Sequence, residues 1–227
     1  MTRAGLEDAR AGYVRRMPDL ARPDETIDFG SLRIDADDAV LRPRAWTIEQ
    51  SRWGRDLLPD LPDGRVLEIC SGAGHIGLAT VHGTGRGIVM VDDDAPACAV
   101  ARGNASRAGV PADVREGRCE EVLDPDERFA LVVADPPWVP SDQVGTYPED
   151  PPHAIDGGPD GLAVAIECLD AMARHLLPGG VGILQIGWRE QAKRLEPHLD
   201  ALGLRAGELR LCPGGVLVLV ERVDAGS

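Results

Sequence analysis

Basic residues are in deficit. Lys and Arg total 24 against 38 Asp and Glu, a formal net charge of −14 over 227 residues. Binding to bare nucleic acid rests on cations neutralising phosphates, so this balance disfavours a nucleic-acid partner. An Arg cluster at Arg3, Arg10, Arg15 and Arg16 is the local exception, read as a solvated helix face or a small basic patch. No apolar run approaches the ~18 residues of a membrane span, which excludes a helical membrane protein. The five cysteines are an odd number without a C-x-x-C pair, as expected of a reducing cytoplasm rather than a disulfide scaffold. The five histidines show no ligand spacing, so no metal is expected. The opening MTRAGLEDAR carries no apolar core, and no secretory signal is expected. Internal repeats and low-complexity tracts are also missing. With 43 % hydrophobic and 27 % charged residues, the chain has ordinary globular composition.

What is present is an alternation. Residues 1–22 read as a polar arm or helix, and TIDFGSLRID over 26–35 reads as a hairpin turning at Gly30-Ser31. A Pro-containing segment then leads into a helix up to Pro59. From residue 65 short β runs (RVLEIC, GIVMVD, the weaker DVREGR, FALVVAD, VGILQIG) alternate with helical patterns of about 10–17 residues. The helix GLAVAIECLDAMARHLL should stop at Pro178-Gly179-Gly180, and Pro197 should bend the next helix or move its start. LRAGELRL and GVLVLVERV close the chain as an antiparallel edge pair. The expected fold is α/β, Rossmann-like: a mostly parallel seven-stranded sheet with helices on both faces. Residues 1–40 are expected to form an arm and hairpin, and 41–227 one cofactor-binding domain. The segment 140–161, rich in Pro, Gly and Asp, reads as a long binding loop or lid.

Gly72-Ala73-Gly74-His75-Ile76-Gly77 matches G-x-G-x-x-G between a strand and a helix, and Asp92 ends the next strand about 20 residues on. Such an acid can accept hydrogen bonds from ribose hydroxyls, so an adenosine-containing ligand is expected. NAD and S-adenosylmethionine are the two candidates. Glu68, two residues before the turn, favours the second. A buried carboxylate is costly unless paired, and S-adenosylmethionine brings an ammonium, whereas NAD brings a pyrophosphate.

Glu68-Ile69-Cys70-Ser71-Gly72-Ala73-Gly74 resembles the E/D-x-G-x-G-x-G motif of class I S-adenosylmethionine-dependent methyltransferases, with Cys70 in place of the first glycine. Asp135-Pro136-Pro137-Trp138 resembles the D/N-P-P-Y/F/W motif of enzymes that methylate amide or exocyclic-amine nitrogens. Pro43-Arg44-Ala45-Trp46-Thr47, Asp92 with the helix running to Asn104, and Asp156-Gly157-Gly158-Pro159-Asp160-Gly161-Leu162 resemble segments of the release-factor glutamine methyltransferase family. The resemblance covers about residues 26–221. It implies a methyltransferase fold, S-adenosyl-L-methionine as cofactor, and a cofactor site at Glu68, Cys70, Ser71, Gly72, Ala73, Gly74, Asp92, Asp93, Cys119 and Asp135. Asp135, Pro136, Pro137 and Trp138 would hold the acceptor, with Asp135, Pro136 and Trp138 catalytic. The departures are Asp135 for the family's Asn, Trp138 for its Tyr, Arg118 where an acid is common, and a short N-terminal segment where bacterial members carry a helical domain. A homodimer or a small partner subunit is left open.

The chemistry this set supports is transfer to nitrogen. The Asp135 carboxylate and the Pro136 carbonyl can accept two N–H bonds, and Trp138 can stack on a planar group. Ionised Asp135 would also stabilise the positive charge that develops on the nitrogen. The expected acceptor is an amide or amine nitrogen of a protein side chain or small molecule. An NAD-dependent dehydrogenase and a non-catalytic adaptor are the competing readings. Cys70 is expected to contribute backbone rather than thiol chemistry, Trp46 to pack or to line the acceptor site, and His75 to sit at the surface or pack the loop. Glu149 and Asp156 are weaker acceptor candidates.

Overall fold

The computed structural model describes residues 26–36 and 40–223. The expected N-terminal arm and its arginines lie outside these. Strands β1 (Thr26–Phe29) and β2 (Leu32–Asp35) form the hairpin, with Phe29 opposite Leu32 and Gly30 left-handed at φ 61° in the turn. Helix α1 (Ile48–Leu57) follows, flanked by short 3-10 turns. Next come β3 (Arg65–Ile69), α2 (His75–Val81), β4 (Ile88–Asp92), α3 (Ala95–Ala108), β5 (Ala112–Glu116), α4 (Cys119–Val122) and β6 (Phe129–Ala134). After a structured loop with the one-turn α5 (Pro152–Ile155), the chain completes α6 (Ala163–His175), β7 (Leu176–Ile186), α7 (Arg189–Ala201), β8 (Leu204–Cys212) and β9 (Gly215–Arg222).

The large sheet has seven strands in the order β5-β4-β3-β6-β7-β9-β8. Pairing is parallel from β5 to β7 and antiparallel at β7-β9 and β9-β8. The chain reverses direction across the sheet between β3 and β6, and ligands of open α/β sheets bind at such a switch point. There Ile69 lies opposite Ala134, so the loops leaving both strands run side by side.

Alternation along the strands divides the core. Leu67, Val89, Val132 and Leu184 face α6 and α7 through Leu169, Met172, Leu195 and Leu199. Val66, Met90, Leu131 and Ile183 face the other way, onto Trp53, Ile76 and Leu78. Phe29, Leu32 and Ile34 of the hairpin join this second cluster. Asn104 of α3 ties the hairpin down: it accepts from the Asp35 amide at 2.7 Å and donates to Asp35 O and Ala73 O.

One expectation about a helix end is corrected and another narrowed. Pro178-Gly179-Gly180 does not stop α6, which already ends at His175; the tripeptide bulges out of β7. The ladder steps from Phe129–Leu176 to Leu131–Val181, and Gly179 is left-handed there. Pro197 lies inside α7 and does not move its start, which excludes the second of the two effects expected of it.

Candidate active site

The loop after β3 is built from unusual backbone. Cys70, Gly72 and Gly74 all have positive φ, at 56°, 50° and 74°. Gly74 needs its missing side chain, because a Cβ would press Met90 at 3.1 Å. At Gly72 a Cβ would meet nothing within 4 Å, so open space lies beside that turn. Asp92 braces the loop: one carboxylate oxygen accepts from the Gly72 amide at 2.8 Å and the other from the Asp94 amide at 3.0 Å. Each oxygen keeps a further lone pair.

Two adjoining cavities open over the carboxyl ends of the strands. The larger, about 250 Å³, is walled by Cys70, Ser71, Gly72, Asp92, Asp93 and Cys119 towards β4 and β5. At its other side stand Thr47, His75 and Asp135. The smaller, about 60 Å³, is walled by Trp46, Pro136, Trp138 and Tyr147. Arg44, Thr47, Asp135 and Pro137 border both. Of the expected residues, Glu68, Ala73 and Gly74 do not reach a cavity wall. The period of two turns Glu68 under α2, where its Oε1 accepts from the Gly77 amide at 2.9 Å. Burial there lifts its pKa to about 8.

Asp135 has no hydrogen-bond partner among the described residues, and burial raises its pKa to about 7. Pro136 and Pro137 extend the chain beyond it without donating an amide. Trp138 packs edge-on to Trp188, with ring centroids 6.0 Å apart, and lies over Gly187. The thiols of Cys70 and Cys119 are both shifted towards the protonated form. Cys70 is raised by its contact with Cys168 and by burial, and Cys119 is pushed up by burial to about 12. Arg118 also lines the larger cavity, but pairs with Glu120 and Glu167 at 2.8 Å.

Further residues around the site bind its segments together or stand apart from it. Gln191, in the first turn of α7, donates to Trp138 O at 3.0 Å and Gly161 O at 3.2 Å, and accepts from the Gly187 amide at 2.9 Å. It thereby joins three segments far apart in sequence. Arg44 pairs with Asp150, fastening the loop 140–161 to the segment before α1. Asp156 is spent inside that loop on Ser141 and the Gly158 amide. Glu149 lines neither cavity. His75 is buried, packed against Phe29, and lines the larger cavity, so of its two expected places the surface is excluded.

A profile of the "Methyltransferase small domain" family matches residues 55–147. The chain is 32 % identical over 184 residues to a release factor glutamine methyltransferase of Mycolicibacterium smegmatis, covering 78 % of this chain and 64 % of that protein. It is 34 % identical over 185 residues to the protein of that name from Mycobacterium leprae, covering 77 % and 63 %. The crystal structure of a methyltransferase from Pyrococcus furiosus superposes with a TM-score of 0.63 at 19 % identity, over 84 % of this chain and 88 % of that one.

The fold is that of Rossmann-like methyltransferases, and the family match within it covers residues 55–147. These matches support the methyltransferase reading over the dehydrogenase one, and they imply S-adenosylmethionine as the cofactor. The chain spans less than two thirds of the length of the first two curated relatives. The geometry suits the family's cofactor in two respects. Open space adjoins Gly72, and the buried Oγ of Ser71, a residue lining the larger cavity, has no partner among the described residues.

Proposed function

We propose that this chain is an N-methyltransferase that uses S-adenosylmethionine to methylate an amide or amine nitrogen of a protein side chain or small molecule. The observation that carries the reading is the place of Asp135: an unpartnered carboxyl on the wall common to both cavities, beside Pro136 and Pro137. The larger cavity is the cofactor site. Cys70, Ser71 and Gly72 would hold the cofactor through the loop backbone, Asp92 and Asp93 at the ribose and beyond, with Cys119 against the adenine. When bound, the cofactor supplies an electrophilic methyl group on a sulfonium.

The smaller cavity takes the acceptor nitrogen. The Asp135 carboxylate and the Pro136 carbonyl receive its N–H bonds, which fixes the direction of the lone pair. Positioning of this kind accounts for much of the rate in a direct displacement. Trp138 and Trp46 flank the planar group. Asp135 then carries out what a carboxamide in its place does not: it offsets positive charge on the nitrogen and accepts a proton. Its elevated pKa suits that exchange near neutrality.

A protein side-chain acceptor is supported by the names of the curated relatives, which are release factor glutamine methyltransferases. A small-molecule amine is favoured by the carboxyl at Asp135. The deciding experiment is transfer of labelled methyl groups from S-adenosylmethionine into fractionated extract of the source cell, with Asp135→Ala as the blank. Label in one protein band supports the first acceptor and label in a small molecule the second. Equal label in the blank and the wild type favours the adaptor reading. An Asp135→Asn variant with full activity and unchanged acceptor preference would remove the role assigned to the carboxylate.

A further inference from the structure

His75 directly follows the left-handed Gly74, and its ring is held edge-on to Phe29 with centroids 4.8 Å apart. Its hydrogen bonds define its tautomer. Thr47 Oγ1 lies 2.8 Å from the carbonyl oxygen of Arg44, which only accepts, so the Thr47 hydroxyl donates there. Toward His75 Nε2, 3.1 Å away, Thr47 Oγ1 is therefore the acceptor. Nε2 carries the hydrogen, and in a neutral imidazole Nδ1 is then a bare acceptor. Nδ1 is buried and has no partner among the described residues. A buried acceptor left unsatisfied is costly, so such a group points to a donor brought by a ligand or water.

The place of the ring narrows the donor. His75 lines the larger cavity and is bonded to Thr47, which with Asp135 borders both cavities, whereas Asp92, Asp93 and Cys119 line the larger one alone. The donors of S-adenosylmethionine are the adenine amino group, the ribose hydroxyls and the amino-acid ammonium. With the ribose at Asp92 and the adenine beside Cys119, the ammonium is the donor left for His75. We infer that His75 Nδ1 accepts a hydrogen bond from the amino-acid ammonium of the bound cofactor. Thr47 and Arg44 O act behind it by fixing the tautomer. This assignment rests on the cofactor reading above and adds to it a residue that the sequence pattern does not single out. The ring also stays uncharged beside a cation, since burial depresses its pKa to about 3.

The test is calorimetric. S-adenosylhomocysteine, which keeps the ammonium, is compared with methylthioadenosine, which lacks the whole amino-acid moiety. In His75→Ala, affinity for S-adenosylhomocysteine is expected to fall at least tenfold, while affinity for methylthioadenosine changes less than twofold. In His75→Asn, whose side-chain amide oxygen replaces Nδ1 as acceptor, most of the loss is expected to be recovered. Equal weakening of both ligands by His75→Ala would show a packing role and overturn the inference, as would no weakening of either. Nitrogen NMR of the wild-type imidazole gives a readout that needs no variant. Nδ1 should be unprotonated, and its resonance should move on adding S-adenosylhomocysteine but not methylthioadenosine. A protonated Nδ1 overturns the inference. Wild-type protein that binds neither ligand overturns the cofactor reading, and this inference with it.

Discussion

At the scale of single residues, the site is shaped by exchanges that leave the backbone path intact. Cys70 occupies a left-handed position that the family motif gives to glycine. A side chain in that region costs about 1–2 kcal/mol. Comparing Cys70→Gly with Cys70→Ala isolates this cost, since both lose the thiol contact with Cys168. The glycine variant should be the more stable by about 1 kcal/mol in urea denaturation. Equal stabilities would mean that the loop relaxes around Cys70. Asp92 has two duties, since the amides of Gly72 and Asp94 already occupy it. Asp92→Ala should weaken S-adenosylhomocysteine binding at least tenfold, about 1.4 kcal/mol, and lower the melting temperature as well. Unchanged calorimetric affinity would remove the ribose assignment. Motif spacing pointed to Asp92 and Asp135, which both line the larger cavity. It did not show that Glu68 turns under α2, since strand alternation is not encoded in the motif.

At the scale of elements, the acceptor side depends on joints between segments. The parallel strands were legible because burial on both faces leaves near-continuous apolar runs. The loop 140–161 was legible only as a loop. Its form is set by side-chain-to-backbone bonds such as those of Gln191, which have no local sequence signature, and by the Arg44–Asp150 pair, whose acid the motif around Arg44 does not name. The bulge in β7 was hidden for a related reason: a Pro-Gly-Gly run signals a break but not whether it falls between elements or within one. Gly187 tests the joint. A Cβ there would come within 2.5 Å of the Trp138 ring and 3.1 Å of Gln191 Oε1. Gly187→Ala should therefore displace Trp138, at about 1–3 kcal/mol of overpacking. Methyl transfer should fall at least tenfold while S-adenosylhomocysteine affinity stays within twofold, because no cofactor-side residue is touched. Loss of both would place Trp138 in the cofactor site instead.

At the scale of the whole molecule, the site has a cost in stability that pH exposes. Asp135 and Glu68 have folded pKa values of about 7 and about 8, both raised chiefly by burial. A carboxyl raised on folding contributes stability that is complete below its unfolded value, near 4, and is lost as pH rises through the folded value. His75 acts in the opposite sense: with its folded pKa near 3, its contribution is present above about 6.5 and is lost on acidification. Between pH 6.5 and 8.5 the two carboxyls therefore dominate, and ligand-free protein should lose roughly 2 kcal/mol across that window. The net charge of −14 is a competing source, since self-repulsion also destabilises a compact acidic chain. Salt separates the two. Surface repulsion is screened within about 10 Å at 0.1 M, whereas buried groups are screened much less. Urea denaturation at both pH values, with and without added salt, should thus show a decline that persists in salt. Asp135→Asn and Glu68→Gln should each reduce it. A decline that salt abolishes, or that neither substitution alters, would mean that these carboxyls are hydrated and that Asp135 is not the desolvated group at the junction of the two cavities.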